Sequence, residues 1–164
     1  MGNWWEQAFT AFKDDFSDLG DATWFARLVL RLSLAAILGG ILGLEREHAG
    51  KSAGARTHML VALGAAVSTF VAQQSGMTSE GISRVVQGIV AGIGFLGAGA
   101  ILKSSEEGQI KGLTTAAGIW LTAAIGLAAG LGREATALIS TFFAWLVLAA
   151  IPALHAAYNR RRRR

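Results

Sequence analysis

The 164-residue chain has no cysteine, one proline and charged residues at only 16% of positions. Without a thiol there is no disulfide, no thiolate metal site and no cysteine redox chemistry. Charged residues normally supply about a quarter of a soluble protein. This chain has too few to cover a water-exposed globule.

What it has instead is apolar bulk and glycine. Hydrophobic residues make up 52% of the chain and glycine fills 21 positions. Disordered glycine-rich tracts are polar and poor in large apolar residues; here the glycines sit inside Leu, Ile, Val and Ala runs. That combination suits helices packing closely in a membrane. The formal charge of +4 does not point to nucleic acid, because five of the fifteen Lys and Arg residues are the last five of the chain.

Residues 1–20 do not read as a signal peptide, since the first basic residue is Lys13 and no adequate apolar core follows Met1. Trp5, Phe9, Phe12, Phe16 and Leu19 recur at helical spacing, with Glu6, Lys13, Asp14 and Asp18 mostly opposite. An amphipathic helix is expected there, lying in the membrane interface with Trp4 and Trp5 at headgroup level or docked on the protein itself. Gly20 ends the pattern and Asp21 is suited to N-cap the next helix. Five apolar spans are then expected: 24–44, 59–72, 85–102, 113–131 and 135–157. Arg27 and Arg31 lie within snorkelling reach of the first span's mouth. The second span is short and crosses a bilayer of about 30 Å only if Thr57, His58, Gln73 and Gln74 lie in the interface. The fifth carries Pro152 and His155 in its last turns, where a kink is tolerated. The fold class is therefore all-α: a polytopic transmembrane bundle, 21–158, preceded by the interfacial helix, 1–20, and followed by a basic tail, 159–164.

An odd number of spans puts the termini on opposite sides. Arg46, Lys51, Arg56, Lys103, Lys111 and Arg160 to Arg164 share one side, ten basic residues against five (Lys13, Arg27, Arg31, Arg84 and Arg133). The positive-inside rule then places the C-terminus in the cytoplasm and the N-terminal helix outside. The arginine tail suits anionic inner-leaflet lipid as well as a topology anchor.

The third span holds Gly92-Ile93-Gly94-Phe95-Leu96-Gly97, a literal G-x-G-x-x-G. A dinucleotide cradle needs a strand before it, a helix opening after it and an acidic residue about twenty positions on. These glycines lie mid-span with no charge until Lys103. A packing role reads better: Gly88 and Gly92, and Gly39 and Gly43, form G-x-x-x-G pairs that let helix backbones approach. With Gly94, Gly97 and Gly99, and with Gly118, Gly126 and Gly130 on span four, they predict a tightly packed centre built from spans one, three and four.

No ionisable residue falls at mid-span. Glu45, Arg46, Arg56, Thr57, Lys111, Thr114 and Thr115 converge on the expected cytoplasmic ends of spans one, two and four, where a polar site is expected; Arg84 and Gln87 begin span three on the other side. Each taken alone reads equally as an interface anchor. His48, His58 and His155 have no metal-site spacing, and Glu106 and Glu107 lie in a loop. No nucleophile stands beside a base, so neither an enzyme, a cofactor nor a metal centre is expected.

The strings Gly43-Leu44-Glu45-Arg46-Glu47, Ala53-Gly54-Ala55-Arg56-Thr57-His58, Gln87 to Gly99 and Lys111-Gly112-Leu113-Thr114-Thr115-Ala116-Ala117 together resemble the bacterial MgtC/SapB membrane family, over about residues 28–157. The resemblance implies five spans with the N-terminus outside and the C-terminus in the cytoplasm. It implies a role in adaptation to low magnesium and, in some pathogens, survival in macrophages. It also implies regulation of other membrane systems, the F-type ATP synthase among them, rather than demonstrated magnesium transport. The best-known virulence member has Asn where this chain has Thr114, and many relatives carry a cytoplasmic C-terminal domain beyond the arginine run. The expected function is a non-enzymatic inner-membrane modulator of another complex, itself a homo-oligomer; the alternative is a small magnesium or solute transporter formed at an oligomer interface.

Overall fold

A computed structural model describes residues 3–16, 21–103 and 110–162, with backbone alone for 102–103 and 152–162. Contact density divides the chain into two units, Met1–Leu30 and Arg31–Arg164. The expectations for Asp18, Leu19, Gly20, Glu106 and Glu107 fall outside the described residues, as do those for the side chains of Lys103, Pro152, His155 and Arg160 to Arg164.

In the first unit, helix α1 runs Trp4–Asp15 with no buried residue. Its apolar face stays uncovered: Trp5, Phe9, Phe12 and Phe16 are exposed, with the last two rings 4.7 Å apart. Asp21 then accepts the N–H groups of Thr23 and Trp24 at 2.8 and 3.2 Å. That carboxylate satisfies donors that the first turn of a helix leaves open. Helix α2, Ala22–His48, starts here and continues into the second unit.

The second unit adds α3 (Ala55–Gln74), α4 (Ser79–Ala100), α5 (Leu113–Gly130) and α6 (Glu134–Arg162). Between α4 and α5, β1 (Leu102–Lys103) pairs antiparallel with β2 (Ile110–Lys111). Five helices, α2 to α6, are long and apolar enough to cross a membrane. The large side chains on their outer faces, such as Ile37, Ile41, Phe142, Phe143 and Val147, are exposed. Such a surface is compatible with lipid and not with water.

The centre of this unit is α3 against α5. A Cβ on Gly126 would run into the Ala62 carbonyl, and one on Gly130 into the Ala66 carbonyl and the Thr69 hydroxyl. Glycine on α5 and alanine on α3 thus bring two backbones into contact, replacing the hydrophobic drive that lipid removes. Helix α2 also closes on α3, where a Cβ on Gly39 would lie 2.7 Å from the His58 carbonyl oxygen. Gly43 meets Ala55 in the same way. Ala35, Leu38, Leu42, Ile125 and Ala129 fill the space around these approaches.

This corrects the expected centre of spans one, three and four. Helix α3 takes the place of α4, which is peripheral: 6% of its apolar window is buried, against 56% for α5. Cβ atoms on Gly88, Gly92, Gly94 and Gly99 would meet nothing within 4 Å, and one on Gly97 only the Ala116 methyl, at 3.8 Å. The physical reason is the face α4 buries. Val86, Ile89 and Ile93 pack on Ala65, Ala123 and Leu127, and the glycine pair lies round the helix from them. Glycine at i and i+4 makes close approach possible without supplying a partner.

Snorkelling is the expectation for Arg31, and the side chain instead ties α2 to three other helices. Its Nη1 donates to Gln73 Oε1 at 2.7 Å and to the Gly130 carbonyl at 2.9 Å. Its Nε lies 3.8 Å from Glu134, and the guanidinium sits over the Phe70 ring, 5.5 Å from its centroid. The α5–α6 turn leaves room for it through Gly132, at φ 72°, where a Cβ would strike this guanidinium.

Gly126→Leu should destabilise the bundle by ~2–3 kcal/mol or more, the scale of a strained small-to-large change. Gly92→Leu should shift unfolding of the solubilised chain by less than about 0.5 kcal/mol, as at an unstrained surface position. Thermal or denaturant unfolding in detergent reads both, and equal effects would contradict the α3–α5 centre. Arg31→Ala should cost about 2 kcal/mol by the same measurement, the scale of hydrogen bonds to a charged donor.

Candidate functional site

Helices α2 and α3 are joined by residues 49–54, and α4 and α5 by 101–112. The two connections meet at one end of the second unit. The first turns sharply because Gly50 adopts φ 68° and the Lys51 N–H reaches back to the Arg46 carbonyl at 2.9 Å. The second ends at Gly112, φ 97°, where a Cβ would overlap the Ala100 carbonyl. Most of the expected polar residues gather around these two turns.

Arg46 is 3% exposed. Its Nε donates to the carboxylate of its neighbour Glu45, and its Nη2 donates to the Leu148 carbonyl on α6 at 3.1 Å. A buried guanidinium needs both a counter-charge and hydrogen-bond acceptors, and it finds them here. The expectation for this pair is a polar site; its geometry is that of a clamp from α2 to α6.

His58, assigned to the interface by its sequence position, is fully buried. Its Nδ1 lies 3.0 Å from the Gly54 carbonyl, which accepts and cannot donate. The proton therefore resides on Nδ1, leaving a lone pair on Nε2. No described residue hydrogen-bonds that Nε2. It faces α5 at Gly118, where a Cβ would lie 3.6 Å away. A lone His near the start of an apolar run carries no sequence signal for such burial; the small residue opposite it, Gly118, becomes meaningful only once α3 is known to face α5.

The remaining expected residues line cavities. Thr114 is exposed and borders an apolar cavity of about 410 Å³ with Leu42, Gly118, Ile139, Phe143 and Leu148. Lys111 and Thr115 line a second, of about 350 Å³, opposite Gly50, Lys51 and Ser52. Arg56 and Thr57 line a third, of about 240 Å³, that shares Lys51 and Ser52 and adds Glu47. The structure thus brings Lys111 and Thr115 to the 49–54 connection, which borders Arg56 and Thr57 in the first turn of α3, while Arg46, paired with Glu45, reaches α6. The loop residues Lys51 and Ser52, which join the two cavities, are missing from the expected site.

Arg84 and Gln87 stand apart from this assembly. Arg84 is exposed and paired with Glu80 one turn earlier at 2.6 Å. Gln87 is exposed and reaches only Ser83, at 3.5 Å. Among the described residues no three His, Cys, Asp or Glu side chains gather as a metal site would require.

Comparison with known proteins accords with this architecture. Residues 32–157 match the MgtC family. The chain is 46% identical over 132 residues to SrpB of Synechococcus elongatus, covering 74% of this chain and 72% of that protein. It is 41% identical over 130 residues to YhiD of Escherichia coli strain K12, whose name proposes magnesium transport, covering 75% of this chain and 60% of YhiD. It is 42% identical over 113 residues to MgtC of Salmonella typhimurium strain 14028s, covering 69% of this chain and 47% of MgtC. The chain thus spans about half the length of MgtC. No solved structure matches it. On a family match that covers all five apolar helices from Leu32 onward, this chain belongs to the MgtC family.

Proposed function

We propose that this chain is a non-enzymatic protein of the bacterial inner membrane that modulates another membrane complex during adaptation to low magnesium or intracellular stress. The observation that carries this reading is how Arg46, which is buried, and Arg31, which is partly buried, are used. Arg31 is bound by Gln73, the Gly130 carbonyl and Glu134, and Arg46 by Glu45 and the Leu148 carbonyl. Each joins helices, and neither lines the cavities described above, whereas ionisable groups in a membrane commonly mark substrate and ion pathways.

The charges left for a partner lie at the two connecting turns. Lys51, Arg56 and Lys111 are exposed, and none forms an ion pair with a described carboxylate. With the basic residues inside, this end faces the cytoplasm, the N-terminus lies outside and the C-terminus is cytoplasmic. A basic surface there suits an acidic patch on the cytoplasmic side of a partner complex, for which the F-type ATP synthase is the candidate. The open glycine face of α4 accommodates a second copy of the chain, which makes a homo-oligomer part of the same reading. The stress context and an association with virulence are what the resemblance to the MgtC/SapB family implies.

The name of YhiD favours the second reading, a magnesium transporter. Proteoliposomes holding the purified chain decide between them. No magnesium uptake above empty vesicles is expected, and uptake that Glu45→Gln or Arg56→Ala abolishes would establish transport instead. In native membranes, cross-linking should capture a partner complex with the wild type. Reversing charge with Arg56→Glu and Lys111→Glu should reduce that capture by about tenfold or more, the loss that ~1.4 kcal/mol produces. Undiminished capture would remove this surface from the contact.

A further inference from the structure

No residue of α1 is buried. Trp5, Phe9, Phe12 and Phe16 are 51–67% exposed. At about 100° per residue these four fall within one arc of about 60°, with Gln7, Thr10 and Asp14 round the helix from them. Four large rings on so narrow a stripe call for an apolar surface beside them. The helix needs that surface as much as the rings do. It is 12 residues long, and its N-cap Asn3 makes no side-chain capping bond. A helix of that length is marginal in water unless its apolar face is packed, the threshold being about 12–15 residues.

The path of the chain points to what covers the face. Helix α1 ends at Asp15, and α2, the first helix able to cross a membrane, begins at Ala22. The link from Asp15 to Ala22 is at most about 25 Å of extended chain, so α1 stays close to the bilayer surface. At ~1.5 Å per residue it is about 18 Å long, too short to thread hydrocarbon about 30 Å thick. It can lie along the surface and cannot cross it. The tether also gives the surface a high effective concentration, so a short helix suffices. Charge then narrows the kind of surface. Interfacial helices commonly carry Lys and Arg on the polar face, which draws them to anionic lipid. This one carries Glu6, Asp14 and Asp15 against Lys13 alone, so anionic headgroups repel it.

We propose that α1 binds a zwitterionic lipid surface in the plane of the membrane, with Trp5, Phe9, Phe12 and Phe16 inserted at the acyl boundary and held by their rings rather than by charge. Trp4, 80% exposed at the edge of the stripe, sits at headgroup level, where indole is favoured. The partner of this surface is lipid. The proposal therefore stands whether or not the chain modulates another complex, and its test needs no second protein.

The chain has no cysteine, so a single nitroxide can be placed on the full protein. Phe12→Cys and Thr10→Cys, labelled separately, report the two faces of α1 in nanodiscs of phosphatidylcholine. Collision with oxygen, which partitions into hydrocarbon, should dominate at position 12. Collision with a water-soluble nickel chelate should dominate at position 10. Replacing half of the lipid by phosphatidylglycerol should lower the inserted-to-free ratio at position 12 by about fivefold. Asp14→Lys with Asp15→Lys should reverse that trend, phosphatidylglycerol then raising the ratio. Nickel access at both positions would mean a helix left in water. Shielding of position 12 from both reagents would mean docking on protein, and dipolar broadening between labels would mean docking on a second copy. Each of the three overturns the proposal, as does a ratio that phosphatidylglycerol raises or leaves unchanged in the chain with Asp14 and Asp15 intact.

Discussion

The second unit depends on the approach of α5 to α3, where glycine on one helix meets the backbone of the other. Gly126 lies against Ala62, and Gly130 against Ala66 and Thr69. In lipid, apolar side chains gain nothing by leaving hydrocarbon for hydrocarbon, so helices associate through close van der Waals fit and hydrogen bonds. Small residues allow that fit by removing what would hold the backbones apart. Helix α2 joins the same assembly, since Gly39 and Gly43 also approach the backbone of α3 and the turn before it. It also brings His58 to Gly118 and brings the start of α5 to the loop before α3. The polar end of the molecule is thus a consequence of packing in its middle.

Much of this architecture is legible in the amino-acid sequence. Five apolar runs separated by short polar turns specify an all-α membrane bundle, and the described helices occupy those runs. Asp21 announces the start of α2 and accepts the expected amides. The glycine spacings are also readable, but spacing cannot rank them. Gly39/Gly43 and Gly88/Gly92 look alike as strings; the first pair packs and the second faces open space. What distinguishes them is the neighbour, and a neighbour is a property of the fold. Helix α3 is underestimated for a related reason. Ala62, Ala65, Ala66 and Thr69 weaken an apolar signal while making the helix suited to the centre.

The polar residues show the same division. That Glu45, Arg46, Arg56, Lys111 and Thr115 lie at one end follows from counting spans. That Arg46 is a clamp and that His58 is buried with its Nε2 unpartnered among the described residues does not, because each depends on contacts between residues distant in sequence. Arg31 is a further case. Charge near the mouth of a span suggests snorkelling to water, yet a carbonyl freed at the end of α5 and a glutamine on α3 offer better acceptors inside.

Helix α2 is held at two heights. Arg31 fastens it to α3, α5 and α6 near one end of the bundle, and Arg46 fastens it to α6 near the other. At ~1.5 Å per residue the two fastenings lie about 22 Å apart along the helix axis, most of the depth of a bilayer's hydrocarbon. A helix pinned at one level can tilt alone when the membrane thins or thickens. One pinned at two levels carries its neighbours with it. A change in bilayer thickness therefore acts on α2, α3, α5 and α6 together, as on a rigid post.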